Sequence, residues 1–571
     1  MLLPFINLIV IIYSSDTKAK KVDFMNEICE IFKNAESNKV IVLEKNKVYN
    51  IFQDNCFEFK GYYCSNTARH NENPSGLRRT ALYLKDKNDI EIDGNGATIL
   101  VHGKMTPFLF DNCENITVKN LIVDYACPTM TEFTVLSNNN GICQIKINDD
   151  CLYEVKNKEL IFHGETGTDG KPYWKDSYNG KKRHIKILLP ETKLFADFSR
   201  ADMEFSSIED IGNNTLRVEL KNKNVHFPAG GVIQSRNIIR DHTGSLFQRC
   251  KNLCFENLRI KFMHGLGMVS QFCENVTFKN CDFTPADGRT AASTADFFQF
   301  SGCKGQITID GIKAGGAHDD FINVHGTHLQ IIRRNKRKNT ITVRFKHHES
   351  WGFQAFKKGD NIEFIKWDTL IPYANATVLN YKRLNVTDIR LYLDRILPDN
   401  IVMGKDVVEN ATWTPDLHVK NCDFGLSCGR GILCTTRGKV VIENNSFKNI
   451  WGPALLLEDD CNFWFESGYT TEVIFRNNLL ECCNYRKMYE NAPVILYSPK
   501  VMDEKSTEFV HGKLVVEGNT FKHPIEDKHR IILSYLGEAQ IKNNTFHEPY
   551  EINTKVVGDV VDENNIILNN P

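Results

Sequence analysis

No stretch of this 571-residue chain is both apolar and long enough to cross a bilayer, which takes about 20 consecutive apolar residues. The one apolar run, MLLPFINLIVIIYSS at 1–15, is too short, and Lys18, Lys20 and Lys21 follow it. It reads as a signal-peptide core, although no Lys or Arg precedes it, and export to a periplasm or the medium is the expectation. An excess of one charge is also missing. Basic and acidic residues number 70 and 71, so no global field draws in nucleic acid or an anionic membrane, and a neutral substrate fits better. With 17 prolines and 36 glycines, long disordered tracts are excluded. The 18 cysteines lack the paired spacing of a zinc site. Cys113, Cys250, Cys273 and Cys303 instead each precede an alternating run, as small apolar side chains stacked coil upon coil would.

What is present is a repeat. KNLCFENLRIKF (251–262), ENVTFKNCDFTP (274–285), PDLHVKNCDFGL (415–426) and GKVVIENNSFKN (438–449) share an alternating strand, an Asn or Gly corner and a second short strand. The interval from Cys250 to Cys273 is 273 − 250 = 23 residues, one coil of a solenoid. Propeller blades need about 40–50 residues each, and a sandwich has no such period. The fold class is therefore all-β, a right-handed parallel β-helix. Phe24, Ile28, Ile31 and Phe32 fall at helical spacing ahead of the first strand, as an N-terminal cap on the exposed first coil would. Two stretches, 128–243 and 328–414, lose the rhythm and alternate like ordinary hairpins, so they read as small inserted β-barrel-like domains. This divides the chain into a cap and first coils (24–127), an insert (128–243), central coils (244–327), a second insert (328–414) and C-terminal coils (415–571). Insertions in solenoids tend to fall on the binding face. The basic run Arg333 to Lys338 reads as a solvated hairpin tip.

Within the central coils the chain nearly repeats itself, DFFQFSG from Asp296 against DFINVHG from Asp320, an offset of 320 − 296 = 24 residues. Asp296 and Asp320 should then lie one coil apart on one face, with Asp319 beside them. Three acids bordered by Phe297, Phe298, Phe321 and Ile322 repel one another and raise one another's pKa. That arrangement fits carboxylates of differing pKa for glycosidic chemistry better than solvated corners; a Ca²⁺ site is the other option.

The segment GGAHDDFINVHGTHLQI (315–331), with Asp296 one coil earlier, resembles the family 110 glycoside hydrolases, exo-acting α-1,3-galactosidases. HGLGMVSQFCENVTF (264–278) and WGPALLLEDDCNFWFESG (451–468) resemble its groove-lining coils, and the likeness runs from Leu82 to the C-terminal coils. It implies a β-helix with inserted barrels, hydrolysis of terminal α-galactosyl glycans with inversion, and no cofactor or metal. Departures are the HGLGMV spelling and the frequency of cysteine. Inversion needs one protonated acid and one carboxylate that activates water. Asp319, expected to face away from Asp320 as strand neighbours do, is assigned as the acid and Asp296/Asp320 as the base. His264, Arg430, Arg437, Trp451, Glu458, Asp459, Asp460 and Trp464 lie on flanking coils as candidate substrate contacts, against structural or solvated roles of similar weight. The alternatives are a polygalacturonase-like hydrolase, disfavoured because it acts on an anionic chain and no recurrent basic pattern accompanies the acids in the sequence, and a non-catalytic carbohydrate-binding β-helix.

Overall fold

The computed structural model describes residues 27–64, 76–179, 183–196, 204–225 and 227–568. The apolar run at 1–15 and Phe24 lie outside them. Three parallel ladders enclose one long core. In one of them Glu114–Lys119, Lys251–Glu256, Glu274–Lys279 and Lys304–Asp310 stack in parallel, with one register shift between Glu274 and Val276 against the last strand. Alternation turns Leu253, Val276 and Ile307 inward together, and Phe255 lies on Phe278 with ring centroids 4.7 Å apart.

The corners explain the spacing of asparagine. Asn120, Asn257, Asn280, Asn421, Asn444 and Asn477 turn with φ of 52–58°, a left-handed conformation that asparagine takes more readily than other non-glycine residues. From Asn444 onward the residue after the corner is also asparagine. Asn445, Asn478, Asn519 and Asn544 form a buried amide ladder, each donating Nδ2–H to the next Oδ1 at 3.0–3.1 Å over the first three steps. Buried amides persist only when paired in this way. Cys113, Cys250, Cys273 and Cys303 stack one coil apart as buried free thiols, directly ahead of strands that pair in parallel. The helix Glu27–Lys33 caps the first coil by burying Ile28, Cys29 and Phe32 in the main core.

The coils close over both inserts. Glu114–Lys119 pairs directly with Lys251–Glu256, and Lys304–Asp310 with Asp416–Lys420. The first insert holds a seven-stranded antiparallel sheet and a three-stranded one, around Phe133, Ile145, Phe162 and Val218. The second is a closed barrel of six strands, Leu329–Asn335, Thr340–Arg344, Asn361–Ile365, Pro372–Arg383, Asp388–Leu393 and Val407–Asn410. Its apolar cluster includes Phe272 of the β-helix, so barrel and coil share a core. Within the basic run, Lys336–Lys338 forms a short 3-10 turn with no buried residue, at a hairpin tip.

Candidate active site

Asp296 and Asp320 lie one coil apart. The strands that follow them pair Phe298 with Ile322 and Phe300 with Val324, and the Phe297 N–H donates to the Asp320 carbonyl at 3.0 Å. Two glycines make room for these turns. A Cβ at Gly267 would stand 2.5 Å from the Asp296 carbonyl oxygen, and one at Gly429 would stand 2.3 Å from the Asp319 carbonyl carbon. The glycines of HGLGMV and of Cys428-Gly429-Arg430-Gly431 thus allow the acid-bearing turns to lean on their neighbours.

The expectation that Asp319 faces away from Asp320 fails. Both precede the strand Ile322–Thr327, in a bend where pleat alternation does not operate. One oxygen from each of Asp296, Asp319 and Asp320 lies within 4.8 Å of the others.

Their surroundings differ. Asp320 is fully buried, and both its oxygens are taken by Arg430, with backbone N–H to Oδ1 at 2.6 Å, Nε to Oδ1 at 2.8 Å and Nη2 to Oδ2 at 2.6 Å. Burial raises its pKa and Arg430 offsets part of the rise. Asp296 is 4% exposed. Burial, then the charges of Asp319 and Asp320, push its carboxyl well above the usual carboxylate range. The Asp319 side chain is 33% exposed and stands 3.5 Å from Arg240 Nη1. These are also the one group among the described residues spaced to hold a metal ion. The bidentate Arg430 grip and the nearby Arg240 compete for the negative charge a cation would need.

The three acids line a cavity of about 150 Å³ together with Arg240, Asn323, Arg430, Leu433, Glu458, Trp464 and Glu466. Of the candidate contacts, Arg430, Glu458 and Trp464 reach it, and Glu458 is already paired with Lys500. Trp464 is 44% exposed and lies 4.4 Å from the His347 ring of the second insert.

The other candidates are not in this lining. His264 is buried with Nδ1 2.6 Å from Thr129 Oγ1, and burial keeps it neutral. Arg437 is enclosed by Glu409, Glu363 and Tyr469 where barrel meets coil. Trp451 packs under Lys186, whose Nζ is 3.8 Å from its ring centroid. Asp459 is buried against His328 at 3.1 Å. Asp460 spends its carboxylate on the backbone N–H groups of Asn462, Phe463, Trp464 and Phe465. These five hold the walls and do not touch the cavity.

Sequence reasoning missed Arg240, Asn323 and Glu466. Asn323 was within reach, because the repeat that aligns the acids also aligns Gln299 with Asn323. Glu466 sits in the strand Glu466–Ser467, which pairs antiparallel with Gly326–Thr327, and its partner His325 is 3.5 Å away. Burial alone would lower the His325 pKa, but Glu466, Cys64 and the Gly326 carbonyl raise it to about 10. Arg240 lies at the return from the first insert, where no repeat exists to place it.

Residues 340–408 match the family described as GLAA-B beta-barrel domain II. Alpha-1,3-galactosidase A of Bacteroides fragilis is 34% identical over 491 residues, 85% of this chain and 78% of that protein. Alpha-1,3-galactosidase A of Akkermansia muciniphila is 35% identical over 481 residues, 83% and 76% of the two chains. Alpha-1,3-galactosidase B of Bacteroides thetaiotaomicron is 30% identical over 548 residues, 94% and 85%.

Proposed function

The chain belongs to the α-1,3-galactosidases of glycoside hydrolase family 110, and from that premise we propose that it removes a terminal α-1,3-linked galactose from glycans with inversion. The observation that carries this is three convergent carboxylates in a small cavity, one of them gripped by arginine.

Asp319 is the acid. A terminal galactose enters the closed end and its leaving group faces the mouth, so the proton donor belongs on the more exposed carboxyl, at 33% against 1% for the Asp320 side chain. Its proton passes to the glycosidic oxygen as the bond from that oxygen to the anomeric carbon breaks. Water adds to that carbon from the other face and gives its proton to the Asp296/Asp320 pair, leaving β-galactose. Two buried carboxylates competing for one proton make a stronger base than either alone.

One observation favours the second reading, retention. Oxygens within 4.8 Å are closer to the ~5–5.5 Å carboxyl separation of retaining enzymes than to the ~6.5–9.5 Å of inverting ones. An NMR time course on an α-1,3-galactosyl disaccharide and its fucosylated form separates the two. β-Galactose as the first product is expected; α-galactose first would establish retention, and no release from either sugar would overturn the reading.

Export belongs to the same proposal, supported by the apolar run at 1–15. Among the described residues no helix is long and apolar enough to cross a membrane. Cell fractionation tests it, a cytosolic intact chain being the contrary result.

A further inference from the structure

Toward the other end of the strands that carry the acids lies a larger cleft, about 480 Å³, which hydrolysis does not use. Its floor is one position on three successive coils, Asp111, Gln248 and Gln271, paired in register. The residue that follows on each of these coils, and after Ser301 on the next coil, turns the corner with left-handed backbone. At Asn112 (φ 56°) and Gly302 (φ 56°) the residue suits that conformation. On the two coils between, it is Arg249 (φ 58°) and Phe272 (φ 53°), for which the same backbone is strained. Both side chains line the cleft. Strain of this kind collects at ligand sites.

The walls are Tyr62 and, from the barrel, Phe353, Gln354, Tyr381 and Arg383. The charge is one-sided. Lys60, Arg249 and Arg383 line the cleft against a single acid, Asp111, which already pairs with Arg249. Arg383 bonds the Gly352 carbonyl, and among the described residues no carboxylate lies within ion-pair distance of it. Lys357 lies nearby over the Trp413 ring at 4.4 Å, as does Lys304 at 4.7 Å, whose charge is paired with Glu274 at 3.1 Å. Lys357 has its pKa lowered by burial, with Lys304 and Arg249 contributing.

The cleft is separate from the catalytic cavity. Gln271 donates to the Tyr62 carbonyl at 2.9 Å and accepts from the Cys64 N–H at 3.0 Å. Tyr63 covers Leu246, Leu266 and Val269 between the two sites and donates to the Arg240 carbonyl at 3.0 Å.

We propose that this cleft is a second carbohydrate site, for a sugar unit bearing a carboxylate or a sulfate ester. The ring lies along Tyr62 and Tyr381, its hydroxyls meet Gln248 and Gln354, and the anion meets Arg249, Arg383 and Lys60. The chain's overall neutrality does not oppose this, since recognition of one anionic unit is local. The proposal stands on the cleft, not on the galactosidase reading.

The test is calorimetric titration of the full chain at low ionic strength with glucuronic acid, glucose 6-sulfate, glucose and inorganic sulfate. Glucose derivatives avoid confusion with a galactose product in the catalytic cavity. Saturable binding of either anionic sugar is expected, with glucose and inorganic sulfate each weaker by about tenfold or more. Which of the two binds distinguishes carboxylate from sulfate. Arg383→Gln and Lys60→Gln, both on the exposed rim, should each weaken that binding by about tenfold while kcat/KM on an aryl α-galactoside stays unchanged. The idea is overturned if neither anionic sugar saturates, if glucose or bare sulfate binds as tightly, or if both variants bind as the native chain does.

Discussion

Arg430 reaches from the succeeding coil and occupies both oxygens of Asp320, through its backbone N–H at 2.6 Å, Nε at 2.8 Å and Nη2 at 2.6 Å. The pair is bidentate and enclosed, the geometry in which an arginine–carboxylate contact is strongest and most directional. It fixes one acid as an oriented anion, while Asp296, without such a partner, favours its proton. One arginine therefore makes unlike acids of two aspartates aligned by the repeat.

Arg430→Lys keeps the charge and loses the fork, so Asp320 should lose its orientation while folding survives. The expected result is a kcat about a hundredfold lower with little change in Tm. Arg430→Gln strands a buried anion and should also cost about 3–5 kcal/mol of stability in denaturant unfolding. Full activity in the lysine variant would show that charge alone suffices.

The raised pKa of Asp296 has a stability consequence with a definite sign. A carboxyl whose folded pKa lies above its unfolded value binds its proton more tightly when folded. Its contribution is complete below the ordinary range near pH ~4 and is lost as pH rises through the folded value. Asp296→Asn cannot ionise and avoids that loss. Its Tm should exceed that of the native chain, and the gain should grow from about pH 5 to about pH 8. A pH-independent difference would mean that Asp296 is ionised throughout.

How much of this the sequence carried follows from what repeats. The coil alternation, the asparagine corners and the Asp296/Asp320 alignment are periodic, so a period of 23–24 residues was enough to place them. The cysteine stack was legible for the same reason. The orientation of Asp319 is not periodic, because strand alternation does not extend into its bend. Arg437, Asp459 and His264 read as substrate contacts because polar residues on flanking coils look alike in sequence. Only the fold shows which of them face Glu409, His328 and Thr129 in place of the cavity. Arg240 comes from outside the repeat, and no local pattern marks it.

Asp460 and Trp464 form a second testable relationship. The Asp460 carboxylate accepts from Asn462 N–H at 2.7 Å, Phe463 N–H at 2.9 Å and Phe465 N–H at 3.3 Å, which shapes the turn presenting Trp464 to the cavity mouth. Trp464→Ala removes an aromatic face on which a leaving sugar can stack. KM for a disaccharide should rise about tenfold, and that for an aryl galactoside less. Asp460→Asn should act in the same direction by loosening the turn, with a loss of about 1–3 kcal/mol in unfolding. Equal effects on both substrates would place Trp464 against the galactose itself.

The three acids can be separated by leaving group. Asp319→Asn removes the proposed proton donor, so a disaccharide, whose leaving oxygen needs that proton, should slow by about 10²–10⁴-fold. An activated aryl galactoside leaves without much protonation and should slow far less. Asp320→Asn and Asp296→Asn disable water activation, which both substrates need, so both should slow alike. Added azide can replace the activated water in these two variants. Attacking the face opposite the leaving group, it should give β-galactosyl azide. Should Asp296→Asn instead spare the aryl substrate while Asp319→Asn slows both, the protonated Asp296 is the acid and Asp319 belongs to the base. That outcome would follow naturally from the buried carboxyl's raised pKa. The present assignment rests on the greater exposure of Asp319, at the side where a leaving sugar must depart.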